Sequence, residues 1–311
     1  MSKKTILELL DEIPLVGDGG CISEILEECH DTLNQEVMSV IEKRGIFKES
    51  REDFRKLFFE FVDSGIDVIQ TFIKCSEHNS EHNSEHNSEH TKTACRLSSE
   101  VIKEGNLLLA GGLSQTSVFL DNRDEDRVKE IFRKQCEIFK NNNVDFMIVE
   151  YFNHVQECEW AIETVKEIID CPVMSILSVD ENGDLDGITC EVCSVRMVQS
   201  GADIVGVNCC NYTPKQGLSF LAKMKHGLEE NGILENVHLS FHPLVHIVSN
   251  NDEECEMSSS GNFRGSLCTI DEIREVVKDA YNMGVRYIGG CYGFEPSYFK
   301  VLSEELRLIS A

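Results

Sequence analysis

Short apolar runs alternate with longer amphipathic segments along most of this chain. The short runs have the composition of buried strands, whereas the longer segments repeat apolar positions every three or four residues, as helices do. Eight runs are predicted to be strands, at residues 13–20, 67–72, 107–112, 145–152, 172–179, 203–210, 237–243 and 285–291. This alternation predicts βα units around a parallel sheet.

The segments between the predicted strands have helical periodicity. Residues 127–140 are an example, because their apolar side chains share one helical face, at Val128, Ile131, Phe132, Cys136 and Phe139. Several of these segments end in Gly or Asn directly before the next strand, as at 104–106, 200–203 and 282–284. Such residues are typical of helix C-caps.

Eight βα units close most naturally into a (β/α)8 TIM barrel, a single α/β domain that we expect to occupy residues 1–311. A doubly wound open sheet is the alternative fold, but no GxGxxG sequence follows the first predicted strand. In a barrel the active site lies at the C-terminal ends of the strands. Candidate functional residues are therefore those that end the predicted strands.

Charge narrows the range of partners. The 55 acidic and 29 basic side chains give a formal net charge of −26, which repels phosphate backbones and anionic lipids. We therefore expect no nucleic-acid or membrane partner. The first residues lack the apolar core of an export signal, and no apolar run is long enough to span a membrane. These features predict a cytoplasmic protein whose 14 cysteines are mostly reduced and buried.

Two cysteines stand out by position. Cys209 ends the sixth predicted strand and Cys291 ends the eighth, so both thiols can converge over the top of the barrel. Zinc prefers sulfur, and a catalytic zinc has three protein ligands and one exchangeable position. A substrate thiol that enters this position loses its proton and becomes a nucleophile near neutral pH.

The strand-end sequences resemble those of a known family. GVNC at 206–209 and RYIGGC at 286–291 are similar to the two zinc-binding segments of homocysteine S-methyltransferases. Four further motifs occur in the matching order, namely GDGG at 17–20, QTF at 70–72, AGGLSQT at 110–116 and VDFMIVEYF at 144–152. The resemblance runs from about residue 5 to the C-terminus and is closest to the betaine-homocysteine branch.

The resemblance implies an enzyme that transfers a methyl group from a small cationic donor to the thiol of homocysteine, giving methionine. It implies that Zn2+ is held by Cys209 and Cys291. It further implies that the homocysteine ammonium is received by Asp18 and Glu150, and that Tyr151 sits beside the metal and the donor. The amino-acid pocket would be completed by Gly19, Thr71 and Asn208.

The last zinc segment departs from the family pattern. The family has paired cysteines, GGCCG, whereas here Cys291 is followed by Tyr292. Tyr292 cannot occupy the same coordination point, because its phenol oxygen is a harder ligand on a longer arm. The third protein ligand is therefore open: Cys210 could bind, Tyr151 or Tyr292 could supply an oxygen, or zinc could bind through two sulfurs and water.

The methyl donor is a second open point. Aromatic faces recognise quaternary ammonium groups such as that of betaine, yet the QTF motif is followed by Ile73 and Lys74. Betaine is therefore a doubtful donor, and S-methylmethionine or S-adenosylmethionine is the alternative. Trp160, the single tryptophan, has core-like spacing in a predicted helix and is expected to be structural.

Two polar stretches interrupt the barrel pattern. Residues 76–90 read SEHN three times and then SEH, a low-complexity insert that we interpret as a solvated loop. Residues 248–266 form a second long polar stretch, of the kind that acts as a lid at a barrel mouth. Near it, His242 and His246 could touch the site, but we interpret both as exposed or hydrogen-bonded histidines.

Two hypotheses follow. In the first, the chain is a zinc-dependent methyltransferase in which Asp18 and Glu150 orient homocysteine. In the second, it is a catalytically impaired pseudoenzyme that binds homocysteine or zinc. The enzyme hypothesis is favoured because the strand-end polar residues have little packing reason to persist together at a barrel mouth.

Overall fold

The fold comes from a computed structural model that describes residues 3–20, 59–72, 102, 107–208, 212–247, 266–291 and 294–311. The strands are β1 Leu15–Gly17, β2 Val68–Phe72, β3 Leu108–Leu113, β4 Phe146–Phe152, β5 Val173–Leu177, β6 Ile204–Asn208, β7 His238–His242, β8 His246–Ile247, β9 Ser266–Leu267 and β10 Val285–Gly289. The helices are α1 Ile6–Leu10, α2 Phe119–Asn122, α3 Glu125–Asn141, α4 Val155–Ile168, α5 Cys190–Gln199, α6 Pro214–Glu230, α7 Ile270–Met283 and α8 Pro296–Ile309.

Eight parallel strands close into a barrel. Their order around it is β1, β10, β7, β6, β5, β4, β3 and β2, and β2 pairs again with β1. The predicted (β/α)8 barrel is therefore confirmed, and α3 covers the helix predicted at 127–140. The antiparallel pair of β8 and β9 is not predicted, because two-residue strands are too short to show an alternating pattern.

Alternation along each strand separates two apolar layers. In β4, Phe146 and Ile148 pack in the cluster inside the barrel, whereas Met147 and Val149 pack in the cluster between sheet and helices. Because successive side chains point to opposite faces, the next inward position is Glu150. The pattern that builds the core thus also turns a carboxylate toward the barrel axis.

The N-terminal end of the barrel is closed by α1. Its Ile6 and Leu10 belong to the inner apolar cluster, and Asp11, which follows it, lies 3.4 Å from the Nε2 of His238 at the start of β7. The apolar floor leaves the opposite, C-terminal end of the strands as the polar end of the barrel.

Candidate active site

Buried polar side chains collect where the inner layer reaches the C-terminal ends of the strands. Gln70, Glu150, Asn208 and His242 are each no more than 2% exposed. They belong to β2, β4, β6 and β7, so the site is assembled from strands around the barrel. Polar groups are costly to bury without partners, which makes this layer the candidate functional site.

Glu150 lies close to both Gln70 and His242 in this layer. Its Oε1 accepts a hydrogen bond from the Nε2 of Gln70, and its Oε2 lies 4.0 Å from the Nδ1 of His242. The Gln70 amide orients the carboxylate, and the neighbouring β4 backbone departs from the β5 register between Val149 and Phe152. Glu150 is thus a buried carboxyl group at the place where the sequence predicts an ammonium-binding residue.

Asp18 lies directly after β1 and is fully buried. Its Oδ1 accepts hydrogen bonds from the backbone N–H groups of Gln70, at 2.8 Å, and Gly20, at 3.3 Å. One carboxylate oxygen therefore ties the loop after β1 to β2. Asp18 and Glu150 are linked through the two ends of Gln70, its backbone and its side chain.

Gly19 brings this loop against the end of the last barrel strand. Its φ is +61°, and a Cβ added there would lie 2.0 Å from the carbonyl oxygen of Gly290. The N–H of Gly290 also donates to the carbonyl of Gly17 at 3.1 Å. The loop that carries Asp18 is therefore in backbone contact with the residue that precedes Cys291.

Tyr151 and Cys291 meet at the same end of the barrel. The Tyr151 Oη lies 3.8 Å from the Cys291 Sγ, and Cys291 is buried. Tyr151 has a φ of +59°, a left-handed conformation that is uncommon for a bulky residue and is often found at functional sites. Cys291 is disulfide-bonded, so it must be reduced before its sulfur can bind a metal.

The remaining predicted pocket residues have backbone or side-chain partners near the strand ends. Thr71 is buried in β2, and its Oγ1 donates to the carbonyl of Ala110 at 3.4 Å. Asn208 ends β6, and its Oδ1 accepts from the Oγ of Ser178 at 3.2 Å. Asn208 is also the register partner of His242.

Several predictions fall outside the described residues. These concern Cys209, Cys210, Lys74, Tyr292, the 76–90 insert and nearly all of the 248–266 stretch. Within the ranges that are described, no group of three or more His, Cys, Asp or Glu side chains is arranged to hold a metal. The third zinc ligand therefore stays an open prediction.

The interpretation of His242 as exposed or hydrogen-bonded is wrong. The ring is 1% exposed, and within the described ranges neither nitrogen has a hydrogen-bond partner. Burial lowers the pKa of His242 to about 3. The sequence does carry a signal that His242 faces the barrel interior. In β7, Ser240 and His242 alternate with Leu239 and Phe241, which are apolar and point outward.

Two predictions about buried residues away from the site are confirmed. Trp160 is buried in α4 and packs edge-on against Phe119, with ring centroids 5.5 Å apart. The six described cysteines other than Cys291 are free, and none is exposed. Burial raises the pKa of the Cys136 and Cys158 thiols to about 12, which marks them as structural. No helix in the described part of the chain is long and apolar enough to cross a membrane.

Known proteins match nearly the whole length of this chain. Residues 15–306 match the family described as homocysteine S-methyltransferase. The chain is 36% identical over 325 residues to S-methylmethionine–homocysteine S-methyltransferase of Rattus norvegicus, covering 98% of this chain and 82% of the relative. It is 35% identical over 330 residues to betaine–homocysteine S-methyltransferase 1 of Xenopus tropicalis, covering 98% and 76%.

A solved structure shares the fold. The homocysteine methyltransferase MmuM from Escherichia coli, in its apo form, matches with a TM-score of 0.63 at 15% identity, covering 97% of this chain and 98% of that one. Its metallated form matches with a TM-score of 0.60 at 15% identity, covering 96% and 98%. At this identity the likeness establishes the architecture.

Proposed function

We propose, on the premise that this chain belongs to the homocysteine S-methyltransferase family, that it transfers a methyl group from a small cationic donor to the thiol of homocysteine. The products are methionine, the demethylated donor without its positive charge, and the proton released from the thiol. The observation that carries the proposal is the meeting of Glu150, Gln70, Tyr151 and Cys291 at the C-terminal end of one barrel. The proposed homocysteine-binding domain spans residues 1–311, with 76–90 as a loop insert, and acts in the cytoplasm.

The carboxylates provide the proposed amino-acid pocket. Glu150 is buried and oriented by Gln70, and an ammonium group in such a site makes hydrogen bonds stronger than those in water. Asp18 contributes a second carboxylate beside Gly19, while Thr71 and Asn208 line the pocket. Held by its ammonium, homocysteine would present its thiol at a set distance from the Cys291 end of the barrel, which favours reaction by orientation.

Zinc fits the donor chemistry at this end of the barrel. Cys291 is a buried sulfur that ends a strand, with the Tyr151 hydroxyl beside it, and soft thiolates suit zinc. We propose Cys291 and Cys209 as the protein thiolates. When bound, zinc would lower the pKa of the homocysteine thiol so that a thiolate forms near neutral pH. Tyr292 replaces the second cysteine of the family motif, so a third donor comes from another residue or from water.

The transfer itself requires little covalent chemistry from the protein. The homocysteine sulfur forms a bond to the methyl carbon as the bond to the donor's sulfonium or ammonium centre breaks, and the bonding electrons leave with the donor. Tyr151 is proposed to flank the reacting methyl group. The relatives are named for S-methylmethionine and betaine. We propose a sulfonium, S-methylmethionine or S-adenosylmethionine, because Lys74 follows the QTF motif where an aromatic residue would favour betaine.

Zinc content and product formation test the proposal together. Purified, fully reduced protein should bind zinc, and more tightly in the presence of homocysteine. Methionine should form with a sulfonium donor and less with betaine. Substoichiometric zinc together with no methionine from any of the three donors would contradict the enzyme proposal and favour a binding protein without catalytic activity.

The Glu150→Gln variant tests the ammonium pocket. It should lower kcat/KM for homocysteine by about 10- to 100-fold, because a charge-assisted hydrogen bond is lost. The matched control is Glu157→Gln, which alters a buried carboxylate that binds the N–H and hydroxyl of Thr116 instead. Equal losses in both variants would exclude a specific role for Glu150.

The Tyr292→Cys variant tests the metal site. It restores the paired motif of the family and should raise the affinity of reduced protein for zinc, and with it the zinc content that remains after dialysis against a chelator. The control is Cys268→Ser, which alters a buried cysteine outside the proposed ligand set and should leave zinc content unchanged. An unaltered zinc content in Tyr292→Cys would show that the missing thiolate is not what limits binding.

A further inference from the structure

His242 is placed next to the proposed ammonium pocket. It ends β7 and faces the barrel interior, where its Nδ1 lies 4.0 Å from the Oε2 of Glu150. That separation is too long for a direct hydrogen bond. Neither ring nitrogen has a hydrogen-bond partner in the part of the chain that the structure describes. A buried imidazole of this kind normally has one, since burying an unpaired polar group is costly.

The ring is also held in one orientation. It stacks on Tyr287 with centroids 5.4 Å apart and planes 18° apart. It also lies against Gly289, where an added Cβ would approach within 2.5 Å of the ring. Only glycine leaves room for the imidazole at this position. The packing thus directs an unpaired nitrogen toward a buried carboxylate.

We propose that His242 is a further substrate-binding residue, whose Nδ1 accepts a hydrogen bond from the same substrate ammonium group that the Glu150 carboxylate binds. If the ammonium nitrogen lies about 2.8 Å from both acceptor atoms, the angle between its two hydrogen bonds is about 90°. This is near the tetrahedral angle between ammonium N–H bonds. A group with several donors is required, because a bare imidazole nitrogen and a carboxylate oxygen are both acceptors. A primary ammonium meets this requirement.

The charge state of the ring agrees with this role. Burial lowers the pKa of His242 to about 3, so at neutral pH the imidazole is neutral and one nitrogen carries a free lone pair. A neutral acceptor adds no positive charge that would compete with the ligand for Glu150. The inference rests on the proposed function and deepens it, since it adds a residue that distinguishes homocysteine from thiols without an amino group.

Calorimetric binding of two ligands tests the inference. The ligands are L-homocysteine and 4-mercaptobutanoate, which has the same thiol and carboxylate but no amino group. The proteins are the reduced, zinc-loaded full chain, the His242→Leu variant and the His242→Gln variant. We expect His242→Leu to weaken homocysteine binding by about 10- to 100-fold while 4-mercaptobutanoate binding changes little. The neutral acceptor of His242→Gln should restore most of the preference.

The matched control is His238→Leu. His238 begins the same strand at the opposite end of the barrel, near Asp11, and its loss should leave both affinities unchanged. The ratio of the two affinities is measured on one sample, so partial unfolding cannot imitate the effect.

The outcomes separate the two proposals. If wild-type protein prefers homocysteine and His242→Leu keeps the full preference, the inference is wrong while the proposed function stands. If His242→Leu weakens both ligands equally, His242 only shapes the pocket, and the inference is again wrong. If wild-type protein shows no preference for homocysteine, the proposed ammonium pocket is itself wrong.

Discussion

Tyr151 and Gly19 both have left-handed backbone near Cys291, with φ values of +59° and +61°. For a residue with a side chain this conformation costs roughly 1–2 kcal/mol, and such strain persists only where the surroundings enforce it. At Tyr151 this conformation coincides with the shift in register between β4 and β5. At Gly19 the absence of a side chain leaves room for the carbonyl of Gly290. Both positions bring loop residues toward the proposed metal end of the barrel.

Gly19→Ala should be more destabilising than its dihedral angle explains. The new Cβ would meet the Gly290 carbonyl at 2.0 Å, whereas a Cβ at Gly232, with a φ of +66°, would have no heavy atom within 4 Å. We expect Gly232→Ala to cost about 1 kcal/mol and Gly19→Ala at least twice that, measured by urea unfolding. Equal losses would show that the loop after β1 can move away from Gly290 at little cost.

Glu157 should make the free energy of unfolding depend on pH. Burial raises its pKa to about 7, against hydrogen bonds from Thr116 that lower it. The folded state therefore holds the proton more tightly than the unfolded chain, so the contribution of Glu157 to stability is fully present below pH 4.5. It is lost as pH rises through about 7.

Glu157→Gln removes this dependence. The stability of the variant relative to wild type should therefore rise between about pH 4.5 and pH 7.5, by up to roughly 3 kcal/mol. Denaturant unfolding at several pH values measures it, and Glu137→Gln, on an exposed position of α3, controls for the loss of one charge. A difference that stays constant with pH would contradict the raised pKa.

The helices differ in how their N-termini are capped. The first turn of α7 has a capping box in which Thr269 and Glu272 exchange hydrogen bonds with each other's backbone N–H groups. Thr189 occupies the same N-cap position before α5 but makes no side-chain capping bond. Both threonines are exposed, so the pair isolates the energetic contribution of capping.

Thr269→Ala should lower the free energy of unfolding by about 1 kcal/mol, because an N–H at the start of α7 loses its partner. Thr189→Ala should change stability by less than half as much, since no capping bond is present there. Thermal and urea unfolding of the two variants measure the difference. If Thr189→Ala is equally costly, the loss does not come from capping.

At the scale of the whole molecule, the net charge of −26 opposes compaction by self-repulsion. Raising NaCl from about 10 mM to about 150 mM shortens the screening length from about 30 Å to about 8 Å. The Tm should therefore rise by a few degrees, as measured by calorimetry in matched buffers. A glucose series of equal osmolality controls for osmotic effects, and a Tm that falls with salt would show that attractive ion pairs dominate.

Much of the barrel follows from the sequence alone. Apolar residues alternate within strands and recur every three or four residues within helices. Both patterns are local, since each depends only on which faces of its own element pack against the core. They predict all eight barrel strands and α3, and the positions of Glu150 and Cys291 at strand ends. The motifs that resemble homocysteine S-methyltransferases predict the family that comparison confirms.

Only the tertiary structure decides which strand ends meet. Gln70 and Glu150 are 80 residues apart, and Tyr151 and Cys291 are 140 apart, so no local pattern reports their contact. The alternation in β7 is enough to point His242 into the barrel, but the residues that pack against its ring, Tyr287 and Gly289 of the neighbouring β10, are distant in sequence. The stagger of strands around a closed barrel determines which inward side chains share a layer. Local periodicity therefore predicts the elements, while barrel closure determines the site.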